Sequence, residues 1–147
     1  MNNIIENIKE EQRHECLIPF YTSRGIEELG NQFENKPVIS FVIKNSIELI
    51  AAITCSKIED IYIIEAIAVK ENYEGMGIGT KLLKYTVEYI ERIGGKKIIL
   101  NAKNSKFFEM NNFIKISKEN VPVEVYSYCL NCPDYEKKCF PTIMVYK

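Results

Sequence analysis

The chain has 147 residues, 46% of them hydrophobic and 27% charged, with a formal net charge of −1. That size and composition fit a single domain spanning 1–147, with enough apolar side chains for a sizeable core. A near-neutral balance excludes the positive field that recruits nucleic acid or an anionic membrane, so a small-molecule or peptide partner is expected.

No apolar run approaches the roughly 20 residues that span a bilayer, and Met1-Asn2-Asn3 lacks the basic-then-apolar layout of a secretion signal. A cytoplasmic protein is the expectation. The five cysteines are odd in number, which argues against a complete disulfide framework.

In chain order, residues 4–15 read as a helix, and residues 19–30 as a turn followed by a short helix. Residues 38–43 form a strand, Asn45-Ser46 a turn, and residues 48–55 a second strand. After a polar patch at 56–60 comes Ile61-Tyr62-Ile63-Ile64-Glu65-Ala66-Ile67-Ala68-Val69, apolar at almost every position as in a central strand buried on both faces. From 80 to 93, Leu83, Val87 and Ile90 recur at helical spacing while Lys81, Lys84, Glu88, Glu91 and Arg92 fall largely on other faces; Gly94-Gly95 ends the helix. Residues 97–101 read as a strand, 105–110 as a short helix, 113–117 as a strand, and 142–146 as a last one.

The most informative stretch is Gly75-Met76-Gly77-Ile78-Gly79-Thr80, at a strand-to-helix junction. Alternate glycines leave backbone N–H groups bare and let a ligand approach the main chain, which suits a pyrophosphate. A dinucleotide fold wants G-x-G-x-x-G and an acid about twenty residues on, but here the third glycine comes one residue early and position 99 is Ile. A P-loop wants Lys before Ser or Thr, and Thr80-Lys81 has the reverse order.

Ile67-Ala68-Val69, then Glu74-Gly75-Met76-Gly77-Ile78-Gly79-Thr80, resembles the acetyl-CoA signature Q/R-x-x-G-x-G/A of the GNAT superfamily of N-acetyltransferases. Phe107-Phe108-Glu109-Met110-Asn111-Asn112-Phe113 is similar to that family's second motif, F-Y-E-K-L-G-F. The resemblance implies an α+β fold with a mixed, mostly antiparallel central sheet flanked by helices. It implies acetyl-CoA as co-substrate and direct transfer of its acetyl group to a primary amine. Ile67, Ala68 and Val69 would pair with the pantetheine arm, Gly75, Met76, Gly77, Ile78, Gly79 and Thr80 would take the pyrophosphate, and Phe108 would lie beside the cofactor; no metal is required.

Two residues depart from the pattern. Glu74 stands where the family has Arg or Gln, and a carboxylate there repels a pyrophosphate, leaving the binding to the loop backbone. Phe108 stands where many members have a Tyr that protonates the departing thiolate; a thiol of pKa about 8.5 leaves unprotonated at pH 7 for about 2 kcal/mol, so the loss need not abolish turnover.

Transfer needs a base for the amine and a donor for the developing oxyanion. Glu65, the lone charge of its strand, is the candidate base; strand alternation puts it on one face with Ile63, Ile67 and Val69. The oxyanion donor would be the N–H of Ile67 or Ala68, and Tyr126 and Tyr128 are candidates for a replacement acid.

The tail, with Pro122-Val123-Glu124-Val125 and then Cys129, Cys132 and Cys139, resembles that of short bacterial N-acetylglutamate synthases. A glutamate acceptor wants guanidinium forks, and the chain has only three arginines, Arg13, Arg24 and Arg92. Other readings are an acyl-CoA sensor without turnover and a zinc-dependent interaction module built on Cys129, Cys132, Cys139 and either His14 or Cys16. Lone His14 otherwise reads as a surface side chain. The sequence leaves oligomeric state open, a homodimer included.

Overall fold

The computed structural model describes residues 4–8, 14–26, 33, 35–130 and 141–147. Among the described residues, seven strands form one sheet: β1 (Ile4–Ile8), β2 (Pro37–Lys44), β3 (Leu49–Ile58), β4 (Ile61–Val69), β5 (Lys97–Ala102), β6 (Phe113–Lys115) and β7 (Thr142–Tyr146). Their order is β1-β2-β3-β4-β5-β7-β6. Every pairing is antiparallel except β4 with β5, which is parallel. This is the mixed, mostly antiparallel sheet the resemblance implies.

Parallel neighbours need a crossover, and α2 (Ile78–Arg92) supplies it between β4 and β5. Leu82, Leu83, Val87 and Ile90 bury one face of α2 on the sheet, against Phe41, Ile43, Ile53, Tyr62 and Ile64. The helix stops as expected at Gly94, whose N–H donates to Glu91 O while Gly95 N–H donates to Ile90 O. The other sheet face is covered by α1 (Ile18–Ser23) and Phe33, which pack Ile18 and Tyr21 on Val42, Ala52, Ala66 and Ala68. Among the described residues no helix is long and apolar enough to cross a membrane.

Three local expectations need correction. Residues 4–8, expected in a helix, form an edge strand whose backbone ladder with β2 pairs Ile4 with Lys44 through Ile8 with Ser40. Five residues are too few to separate a 3.6-residue period from a period of two, and long-range pairing decides. The second strand does not end at 55: β3 runs on through the polar patch to Ile58 with Ser56 fully buried, and only Glu59-Asp60 turn the chain. His14, expected at the surface, is 1% exposed and its Nδ1 lies 2.6 Å from Ser40 Oγ.

The register of β4 contains the feature that matters most. Thr54 pairs with Ala66 but Cys55 pairs with Ile64, so Glu65 is the extra residue of a β-bulge. The bulge reverses the facing of everything after it. Ile64, Ile67 and Val69 all pack on the α2 side, while Ala66 and Ala68 face α1. Glu65 therefore does not share a face with Ile67 and Val69, as simple alternation predicts.

Candidate active site

The pairing of β4 with β5 ends at Ile64 and Leu100, and beyond it the strands part. In an antiparallel ladder, successive residues turn their N–H and C=O alternately toward and away from the partner. Lys70 N–H donates to Ile50 O, so the register assigns the backbone groups of Ala68 to β3 and turns those of Ile67 and Val69 toward the gap left by β5. Of the three residues expected to present main chain to a ligand, Ile67 and Val69 turn theirs toward this gap and Ala68 turns its toward β3. The open carbonyl of Val69 accepts a hydrogen bond from Arg24 Nε at 2.8 Å.

Below the gap lies a cleft of about 450 Å³ lined by residues that include Ile67, Val69, Tyr73, Gly77, Gly79 and Phe107. Gly75 and Gly77 have φ of +79° and +78°, a conformation that L side chains rarely adopt and that lets the chain turn sharply from strand to helix. Gly77 is the N-cap of α2; no side chain caps the end and no acid occupies the first turn. The first N–H groups of the helix, with the positive end of its dipole, are thus presented without an internal partner. A Cβ on Gly79 would meet Phe107 ring atoms and Val69 Cγ2 at 3.4 Å, so the glycine leaves open the space between these two walls of the cleft.

Ile78 and Thr80 also line this cleft, whereas Met76 is a 64% exposed side chain outside its lining. Phe108 stands one layer back, edge-on to both Phe107 and Phe113, so Phe107 presents the aromatic surface. Sequence reasoning missed Phe107 because helix α3 (Lys106–Glu109) is one turn long and two adjacent phenylalanines give no period to tell them apart.

Glu65 sits where β4 leaves β5, on the sheet face opposite α2. Its Oε1 accepts from Ser56 Oγ at 2.6 Å and from Asn35 Nδ2 at 2.7 Å, while the same Asn35 nitrogen donates to Glu124 O at 2.9 Å. Two donors on one oxygen fix the orientation of a half-buried carboxylate. Asn35 also ties the segment before β2 to the 3-10 turn Val123–Val125. Neither partner was legible beforehand, since Ser56 fell in the expected polar patch and Asn35 in a segment without pattern.

A second polar chain runs through the same face: Ser40 Oγ lies 2.8 Å from Thr54 Oγ1, which lies 2.8 Å from Tyr21 OH, with His14 at the far end. Burial pushes the Tyr21 phenol well above its ordinary value, so it stays protonated. Burial, with the Glu65 charge adding to it, does the same to the Cys55 thiol, which faces the apolar α2 side. Cys132 and Cys139 lie outside the described residues, as does the side chain of Cys129, and among the described residues no group of three or more His, Cys, Asp or Glu could hold a metal. Tyr126 packs in the apolar cluster of Ile63 and Ile99 beneath Lys118, while the side chain of Tyr128 lies outside the described residues.

Comparison with known proteins matches this geometry. An uncharacterized N-acetyltransferase from Chlorobaculum tepidum is 30% identical over 70 residues, covering 48% of this chain and 45% of its own length, so the chain spans under half of that relative. Among solved structures, the N-acetylglutamate synthase of Neisseria gonorrhoeae, complexed with coenzyme A and N-acetyl-glutamate, superposes with a TM-score of 0.68 at 16% identity, over 99% of this chain and 35% of the other. Escherichia coli ElaA superposes with a TM-score of 0.68 at 16% identity, over 99% of this chain and 100% of its own. At that identity the structures establish a shared fold. The model of the acetyltransferase (GNAT) family matches residues 5–113, which takes in the bulged strand, the glycine turn and the Phe107-Phe108 helix, and the chain belongs to that family.

Proposed function

We propose that this chain is an acetyl-CoA-dependent N-acetyltransferase that passes the acetyl group directly to a primary amine of a small molecule or peptide. The observation that carries the reading is the parting of β4 from β5, which turns the main chain of Ile67 and Val69 into a cleft that ends on the uncapped, glycine-built start of α2. An extended amide chain can add to β4 there as a strand would, and a pyrophosphate meets N–H groups from Gly77 to Thr80.

The chemistry follows from what stands around the top of the gap. Glu65, fixed by Ser56 and Asn35, takes the proton from the attacking amine, directly or through one water. Ile67 N–H, aimed into the gap, is the donor for the oxyanion of the tetrahedral intermediate, a role that Ala68 gives up to its ladder with β3. Tyr126, a candidate replacement for the acid that Phe108 lacks, packs instead in the apolar cluster of Ile63 and Ile99. The thiolate then leaves as the anion and takes its proton from solvent.

The acceptor is an amine without two carboxylates to anchor. Arg24 is held at Val69 and Glu74, four residues along β4 from Glu65, and Arg92 lies over the Tyr89 ring at the far end of α2, so neither described arginine stands beside Glu65 to fork a glutamate carboxylate. The test is a panel of polyamines, amino acids including glutamate, and peptide N-termini, scored by thiol release from acetyl-CoA. Turnover on a non-acidic amine supports the reading; turnover on glutamate alone contradicts the acceptor assignment.

A further inference from the structure

The cleft proposed for the acyl-CoA has an acid at its mouth: Glu74 lines it, one residue before the glycine turn. A carboxylate facing an anion cradle opposes the ligand the cradle is built for, unless a cation stands with it. Arg24 is that cation. Its Nε donates to Val69 O at 2.8 Å, and its Nη2 pairs with the Glu74 carboxylate. The guanidinium therefore spans the end of β4 and the start of the glycine turn.

Arg24 reaches this point from a rigid base. The N–H groups of Arg24 and Ile26 both donate to the carbonyl of Tyr21 at 3.0 Å, and Gly25 N–H donates to Thr22 O. Tyr21 is itself fully buried and hydrogen-bonded to Thr54. The Arg24 side chain is only 23% exposed, against 55% for Glu74, so the arginine is the fixed member of the pair and the carboxylate the movable one. Of the five N–H donors a guanidinium carries, two make the bonds just named. The others remain in a planar fork suited to phosphate oxygens.

We infer that Arg24 is the pyrophosphate-binding cation of this cleft, brought from the turn after α1 and aimed by Val69 O and Glu74. This rests on the acyl-CoA reading above. When a pyrophosphate occupies the N–H groups at the start of α2, Arg24 meets its outer oxygens, and Glu74 gives up the guanidinium and turns toward solvent.

Calorimetric titration of coenzyme A, dephospho-coenzyme A and pantetheine into the wild-type chain, R24Q, R24K and E74Q tests this directly, with thermal melts to confirm folding. Dephospho-coenzyme A keeps the pyrophosphate and lacks only the 3′-phosphate; pantetheine lacks every phosphate. R24Q is expected to weaken both coenzymes alike, by about tenfold, and to leave pantetheine within about twofold. R24K should recover part of the loss, because it keeps the charge without the fork. E74Q should bind coenzyme A at least as tightly as wild type, the opposite sign from R24Q, whereas an ion pair that only holds the loop together weakens binding from either side. Equal loss of coenzyme A and pantetheine in R24Q overturns the inference, as does loss in E74Q to match R24Q. Normal coenzyme A binding by R24Q overturns it alone; no binding by the wild-type chain overturns the acyl-CoA reading and the inference together.

Discussion

Gly79 separates the demands of folding from those of the ligand. It lies in the first turn of α2, where its backbone is helical, and a Cβ there would meet Phe107 and Val69 at 3.4 Å, ordinary van der Waals contact. Gly79→Ala is therefore sterically tolerated by the empty protein. Removing a glycine from a helix is worth about 0.5–1 kcal/mol of stability. For a chain of this size that raises the melting temperature by about 1–4 °C. The same methyl projects between two walls of the cleft, where a ligand has to approach the N–H groups of Ile78, Gly79 and Thr80. Displacing a phosphate from one such donor loses a charge-assisted hydrogen bond of about 1.5–3 kcal/mol, or about 10–100-fold in Kd. Scanning calorimetry and titration with coenzyme A read the two effects on one sample. Opposite signs are expected: a more stable protein that binds less. A fall in both refutes the reasoning by showing a packing defect, and unchanged affinity places the ligand elsewhere.

Three further outcomes follow from side chains of the sheet and of α1. Glu65→Gln keeps an oxygen to accept from Ser56 and Asn35 but removes the base, so kcat on an acceptor from the amine panel should fall about 10²–10³-fold with coenzyme A affinity unchanged; a kcat within threefold of wild type contradicts the assignment. Thr54→Val keeps the shape, strands the Tyr21 hydroxyl and leaves Ser40 its bond to His14, which should cost about 1–3 kcal/mol in urea unfolding, partly recovered in Y21F/T54V; a loss below about 0.5 kcal/mol means the buried chain is not structural. Tyr21 and Cys55 are held protonated by burial, so the unfolded chain, ionising near its ordinary values of 10.0 and 9.0, gains on the folded one as pH rises. Their stabilisation is complete below about pH 9 and declines above it, by about 1.4 kcal/mol per pH unit for each group once ionised in the unfolded chain. Unfolding midpoints that stay level to pH 11 contradict that assignment.

The contrast between the glycine turn and Glu65 explains what could be seen in advance. Gly75 and Gly77 announce themselves because a left-handed backbone leaves a mark at each position, and the helix after them carries its own period. Glu65 stands out as a lone charge in an apolar strand, but its facing does not. A strand buried on both sides has no polar alternation to pin its register, and one inserted residue reverses every side chain beyond it. Arg24 with Glu74, His14 with Ser40, and Asn35 with Glu65 are contacts across 50, 26 and 30 residues, set by packing that no local pattern encodes. The N-terminal edge strand was misread for the same reason, since its partner lies beyond α1 in the chain.

The central claim is that the cleft between parted β4 and β5 holds an acyl-CoA. Isothermal titration of acetyl-CoA into the wild-type chain, with no acceptor present, tests it without knowledge of the second substrate. One site per chain is expected, with a Kd on the order of 1–100 μM, in the usual range for an enzyme's substrate. No heat of binding at millimolar acetyl-CoA, with the protein folded by its melting curve, contradicts it.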